Sequence, residues 1–194
     1  MKVRSFLICA EHKHLYSENY NAIPDSIEID MYPFTDPNTL RQQEYRNDEK
    51  LRVRHYIHEH FSVPHVDFPE WALQRIQWRG NETVLDVGCG PGSYATALDR
   101  LAPGTTYYGV DFSSGMLMRH PFRERVSQGD VQQLPFPDAT FDVVMANHML
   151  YHVPDIPLAL QECRRVLKPD GVFMAATNSI ESMPQFRELV KRAI

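Results

Sequence analysis

The hydrophobic pattern changes period several times along the chain, and each change predicts an element. Val84, Leu85 and Val87 form an apolar run around Asp86, short enough for a strand covered on both faces. Gly88, Gly90 and Gly92 follow at alternate positions, where glycine lets the main chain approach a ligand. Ser93–Leu101 then takes helical spacing at Tyr94, Leu98 and Leu101. Further strands are predicted at Thr106–Val110, ending at Asp111; weakly at Val126, ending near Asp130; at Phe141–Ala146; and at Gly171–Ala176. Helices fit between and after them at Ser113–Arg119, Ile156–Leu167 and Pro184–Ile194, the last with a stripe of Phe186, Leu189, Val190 and Ala193. Strands alternating with helices make an α/β sandwich of five parallel strands.

The N-terminal third is less regular. Phe6–Cys9 reads as a strand, and Ile27, Ile29 and Met31 alternate with polar neighbours as a half-exposed strand would. Asp36 caps and Pro37 opens a charged helix running to Phe61, with Val53, Ile57 and Phe61 as its apolar stripe; Pro64 ends it. Pro69 opens another helix through Trp71, Leu73, Ile76 and Trp78, with Gly80 just past its end. Residues 1–68 are thus an N-terminal extension and helical cap, and residues 69–194 the core.

Composition narrows the partners. A chain of 194 residues holds one domain, and 43% hydrophobic content is ordinary for a soluble one. A net charge of −5 argues against nucleic acid as a partner. No apolar run approaches the ~20 residues that span a bilayer, and the apolar stretch Ser5–Ala10 is cut off by Glu11, His12 and Lys13 before it makes a secretory signal. Cys9, Cys89 and Cys163 are odd in number and far apart, as in a reduced cytoplasmic protein.

A strand, a glycine turn and a helix build a site for a nucleotide-like ligand at the carboxyl edge of a sheet. A dinucleotide site places its third glycine where this chain has Ser93, and Asp86 inside the strand suits a cationic ligand better than a pyrophosphate. An NAD-dependent oxidoreductase is therefore the weaker reading. The stretch Val84–Gly92 resembles motif I of the class I S-adenosylmethionine-dependent methyltransferases. Gly129-Asp130-Val131, Leu134–Asp142, Asn147–Val153 and Arg165–Gly171 resemble later elements of that family in order, over about half the chain. Leu134–Val153 looks most like the branch of quinone-biosynthesis and other small-molecule enzymes.

The resemblance implies a Rossmann-like three-layer sandwich, S-adenosylmethionine as cofactor, S-adenosylhomocysteine as product and a small-molecule acceptor. Gly88, Gly90 and Gly92 would give backbone access to the cofactor's amino-acid tail. Asp86 would organise the loop or meet the tail's ammonium. Asp111 would accept from both ribose hydroxyls, with Phe112 flanking the ribose or adenine; a helix cap is the plainer role for Asp111. Asp130 would take the adenine amino group and the Val131 amide a ring nitrogen, unless Asp130 only shapes a turn. Asn147 and His148 would lie beside the sulfonium, and Cys89, Ser113 and Met116 complete the cofactor set. His152 is the first candidate for a general base, then His148 and Tyr151. Tyr45, Tyr56, Phe61, Trp71 and Trp78 are candidate linings of an acceptor pocket under the cap.

Two further expectations follow. His12, His14, His55, His58, His60 and His65 invite a metal, but no cysteine pair stands at ligand spacing and i, i+2 residues on a helix do not share a face; no metal is expected. Members of the family usually continue with two antiparallel strands after the fifth, and this sequence ends without them. An uncovered fifth strand would be an exposed edge. Either a second subunit completes it, as a homodimer or in an incomplete, non-catalytic binding module, or the N-terminal strands cover it.

Overall fold

The computed structural model describes residues 4–9, 15–16, 39–40, 45–61 and 66–177. The strands are β1 (Arg4–Cys9), β2 (Leu15–Tyr16), β3 (Thr83–Val87), β4 (Thr106–Asp111), β5 (Val126–Gln128), β6 (Phe141–Asn147) and β7 (Leu167–Thr177). The helices are α1 (Glu49–Phe61), α2 (Phe68–Leu73), α3 (Ser93–Leu101), α4 (Ser114–Leu117) and α5 (Ile156–Val166). One sheet runs β2-β1-β7-β6-β3-β4-β5, and every pairing in it except β1 with β2 is parallel. The predicted segments at Ile27–Met31, Asp36–Pro37, Pro64 and Pro184–Ile194 lie outside the described residues.

Both faces of the central strands are buried, which is why they read as continuous apolar runs. Alternate residues serve opposite layers. Leu85, Val87, Val144, Ala146, Phe173 and Ala175 pack with Ala159, Leu160, Cys163 and Val166 of α5. Val84, Val143, Met145, Met174 and Ala176 pack with Ala72 and Leu73 of α2 and Ala95, Ala97 and Leu98 of α3. The helix starts follow from their caps: Asp67 accepts from the Glu70 amide and Asp155 from the Leu158 amide, each with a proline in the first turn.

Of the two expectations for the fifth predicted strand, cover by the N-terminal strand is the one observed, and four other predictions are corrected. The strand is not an edge: β1 pairs with β7 in parallel, from Arg4 opposite Val172 to Cys9 opposite Thr177. The N-terminal strand thus fills the place for which a second subunit was invoked, and the homodimer argument loses its premise. The predicted turn at Lys168–Gly171 is absorbed into β7 as an irregularity, with Asp170 at φ +62°, because Leu167 pairs with Phe141 while Val172 pairs with Val143. The helix expected from Asp36 to Phe61 is broken by a bend at residues 45–48, and α1 starts only where Asn47 Oδ1 accepts from the Glu49 amide. Its stripe does not face the core: Val53, Ile57 and Phe61 are 57%, 50% and 71% exposed. The helix opened by Pro69 stops at Leu73, whose carbonyl is taken by the Trp78 indole N–H at 2.9 Å. The helix expected over Ser113–Arg119 is one turn, Ser114–Leu117.

Candidate active site

The carboxyl ends of β3, β4 and β6 lie side by side. After β3 the chain builds outward through β4 and β5, then returns to the other side of β3 with β6 and β7. Such a reversal leaves a crevice at the strand ends, where α/β proteins bind ligands. A cavity of about 230 Å³ opens there.

The glycine turn forms its floor. The Gly88 and Cys89 amides both donate to the Val110 carbonyl, at 2.7 and 3.2 Å, and tie the turn to β4. Gly90 takes φ +54°, and the nearest atom to a Cβ there would be Met116 Cε at 3.6 Å, so its missing side chain leaves open space in the crevice. Its amide donates to Asp111 Oδ2 at 2.8 Å, and the Ser113 amide donates to Asp111 Oδ1 at 2.8 Å. The carboxylate is locked at the end of β4 with lone pairs to spare. Burial pushes the Asp111 carboxyl up from its ordinary range, and those two amides pull it back in part.

Cys89, Asp111, Phe112, Ser113, Met116, Asp130, Val131, Asn147, His148, Tyr151 and His152 all line the crevice, with Gly88 and Gly90. Two residues expected in the cofactor set do not. Asp86 is 1% exposed and turns beneath the floor, where its Oδ2 accepts from the Tyr107 hydroxyl at 3.0 Å. Burial lifts its carboxyl to about 7, against the pull of the Tyr107 bond and with a push from Asp111. Gly92 faces the His120–Pro121 turn and not the crevice. His120 completes the buried polar group. Its Nδ1 accepts from the Phe122 amide at 3.1 Å, so Nε2 carries the proton and meets the Tyr107 oxygen at 3.3 Å.

β6 delivers Asn147 and His148. His148 takes φ +55°, a conformation uncommon outside glycine, while its amide donates to the Ala176 carbonyl at 2.7 Å and its ring packs on Phe68. Of the five aromatic residues expected to line a pocket under the cap, only Tyr45 does. Tyr56 and Phe61 are exposed, and Trp71 and Trp78 pack against the core. Leu40 and Leu51, from the N-terminal part of the chain, line it instead. Tyr94 lines it too, and was not among the expected residues. The signal for Tyr94 was its place in the first turn after the glycines. Among the described residues, no group of three or more His, Cys, Asp and Glu side chains gathers as a metal would need.

The buried polar atoms test whether a charged nucleoside fits. The Tyr94 hydroxyl and both side-chain atoms of Asn147 are buried with no hydrogen-bond partner among the described residues. Such orphans are costly unless a ligand or water meets them. They border the same crevice as the open Gly90 and the locked Asp111. A ligand with an amino-acid tail and a diol satisfies this donor set, so the fit holds.

The fold is a Rossmann-like α/β sandwich with a crevice at the ends of β3, β4 and β6. Residues 85–175 match the family model described as a methyltransferase domain. A demethylmenaquinone methyltransferase from Geobacillus kaustophilus is 34% identical over 134 residues, covering 64% of this chain and 57% of that protein. The YcgJ protein from Bacillus subtilis is 29% identical with a TM-score of 0.54, over 64% of this chain and 56% of that one. A complex between the Haloferax volcanii Trm112 methyltransferase activator and a methyltransferase candidate includes a chain 26% identical, with a TM-score of 0.57, over 81% of this chain and 75% of that one. Over residues 85–175, a little under half of the chain, the protein is similar to class I S-adenosylmethionine-dependent methyltransferases. It spans little more than half the length of the curated relatives it matches. No helix of the described residues is long and apolar enough to cross a membrane.

Proposed function

We propose that this protein binds S-adenosylmethionine in the crevice and transfers its methyl group to a small-molecule acceptor in the cytoplasm. The observation that carries the reading is that Asn147 and Tyr94, whose buried polar side-chain atoms have no partner among the described residues, line the same cavity as the locked Asp111. Asp111 would hold the ribose, Phe112 and Val131 would flank the adenine with Asp130 at its amino group, and the Gly88–Gly90 turn would meet the amino-acid tail. Cys89, Ser113 and Met116 would fill the wall between them, with Asn147 and His148 beside the reacting centre. When bound, the cofactor supplies a methyl group already activated by the sulfonium charge. The chain's part is then orientation and exclusion of water, effects that supply ~7–11 kcal/mol. An acceptor that must lose a proton needs a base; His152 would serve, with His148 and Tyr151, which line the same cavity, as the alternatives. The apolar lining, with Leu40, Leu51, Met149, Val153 and Pro154, suits a flat acceptor with little charge, in keeping with the quinone named for its relatives.

Calorimetry with S-adenosylmethionine, S-adenosylhomocysteine and NAD, followed by a labelled-methyl turnover screen, tests the reading. It fails if NAD alone binds, or if no acceptor is methylated by a protein that binds the cofactor. A second reading is a methyltransferase-fold module that works only with a partner subunit, favoured by likeness to the archaeal chain solved with an activator. Turnover by the purified chain alone rules it out.

A further inference from the structure

We propose that Tyr45 is a further catalytic residue: its phenol takes the proton from the methyl acceptor while passing its own to His152. The inference rests on the methyltransferase reading above and on a contact outside the segment that matches the family model.

Tyr45 stands in the bend that breaks the N-terminal helix, and four ties fix it on the core. Its carbonyl accepts from Ser113 Oγ at 2.5 Å, and its amide donates to the Leu40 carbonyl at 2.8 Å. The next carbonyl, of Arg46, occupies the place a Cβ on Gly115 would need, so the bend sits flush on that glycine. Asp48, 8% exposed, pairs with Arg119 at 3.3 Å. Thus held, the Tyr45 hydroxyl stands 2.7 Å from His152 Nε2, with the two rings edge to face. Tyr151 packs against the same imidazole at 4.4 Å between ring centres. Tyr45 and His152 both line the crevice.

The direction of the bond follows from acidity. A phenol holds its proton to about pH 10 and an imidazolium loses one near 6.5, so in the neutral pair the phenol donates and Nε2 accepts. That nitrogen therefore already faces Tyr45. Tyr45 belongs to the cavity wall, so its phenolic oxygen is the atom of the couple that the acceptor's proton would reach. The step balances: the acceptor's proton goes to the Tyr45 oxygen, the Tyr45 proton goes to Nε2, and the imidazolium later returns it to water. The electron pair left on the acceptor atom becomes its nucleophile. Ser113 also gives its amide to Asp111, so the carboxylate proposed for the ribose and the phenol of the couple share one anchor.

The test uses the full chain with labelled histidine, saturated with S-adenosylhomocysteine, and follows the His152 ring by NMR through pH. In Tyr45→Phe, loss of a donor to the neutral ring should raise the His152 midpoint by roughly half a unit to one unit. With a reduced demethylmenaquinone analogue as acceptor, Tyr45→Phe and His152→Gln should each lower kcat by about 100-fold, with KM for S-adenosylmethionine unchanged. The double variant should be no worse than either single one, since the two act as one unit. An unmoved His152 midpoint overturns the couple. So does a double variant whose loss is the product of the singles, or a loss confined to KM for the cofactor. If S-adenosylhomocysteine does not bind the wild type, the methyltransferase reading fails, and the same NMR comparison on the free protein still judges the couple.

Discussion

Gly80 and Gly92 make a matched pair for measuring what the floor of the crevice tolerates. Their backbones are nearly alike, at φ +85° and +90°. Their surroundings are not. A Cβ on Gly80 would meet nothing within 4 Å, whereas on Gly92 it would lie 2.5 Å from Pro121 Cδ and 2.9 Å from His120 Cδ2 and Nε2. Gly80→Ala therefore carries only the left-handed backbone penalty, about 1–2 kcal/mol. Gly92→Ala carries that and an overpacking term of about 1–3 kcal/mol, since a proline ring and a buried imidazole cannot step aside cheaply. For a chain of this size the extra term is worth roughly 2–12 °C in Tm. Thermal unfolding of both variants reads the difference, and calorimetry with S-adenosylhomocysteine reads its consequence. Gly92→Ala should also weaken binding, because the His120–Pro121 turn braces the glycine loop from behind; Gly80→Ala should not. Equal Tm losses would refute the packing argument. Equal binding would refute the brace.

Other substitutions probe other terms. Tyr94→Phe removes an orphaned buried hydroxyl, so the free protein should gain up to about 1–2 kcal/mol while S-adenosylhomocysteine affinity falls; a lower Tm without ligand contradicts this. Asp86 keeps its proton to about pH 7 in the fold against 3.8 ordinarily, so its contribution to stability declines as pH climbs between those values. Urea denaturation should accordingly find Asp86→Asn more favourable relative to wild type at pH 8 than at pH 4.5, and a constant difference would disprove the shift. His120 works in the opposite sense: burial lowers its pKa to about 4 despite Glu124 nearby, so the fold loses stability as pH falls from 6.5 towards 4, and His120→Gln should flatten that limb. Arg165 donates to the Leu134 and Phe136 carbonyls, Glu162 and Asp138, and Arg165→Met should destabilise by about 1–3 kcal/mol in denaturant titrations by leaving the carbonyls unmatched.

What was legible in the sequence was what local chemistry decides. The run at Val84–Val87, the glycines after it and the helix from Ser93 fell where expected, because strand burial, positive φ and helix spacing each leave a mark on neighbouring residues. Asp111 and Asn147 were legible as strand ends. The misses depend on distant contacts. Nothing near Phe6 says that its strand pairs with Met174. Helical spacing marked Val53, Ile57 and Phe61 as a face but not whether anything covers it. Asp86 and Gly92 sit in the motif, yet their neighbours Tyr107, His120 and Pro121 come from later in the chain and turn them away from the crevice. Tyr45 stood among five aromatic candidates with no local feature to single it out; the ties to Ser113 and His152 do that.

The most direct test of the account is titration of S-adenosylhomocysteine into the wild type and Asp111→Asn by calorimetry. The account predicts one saturable site in the wild type and at least tenfold weaker binding in the variant, which trades the carboxylate proposed for the ribose for an amide. No heat from the wild type at millimolar ligand, or equal affinity in both proteins, would contradict it.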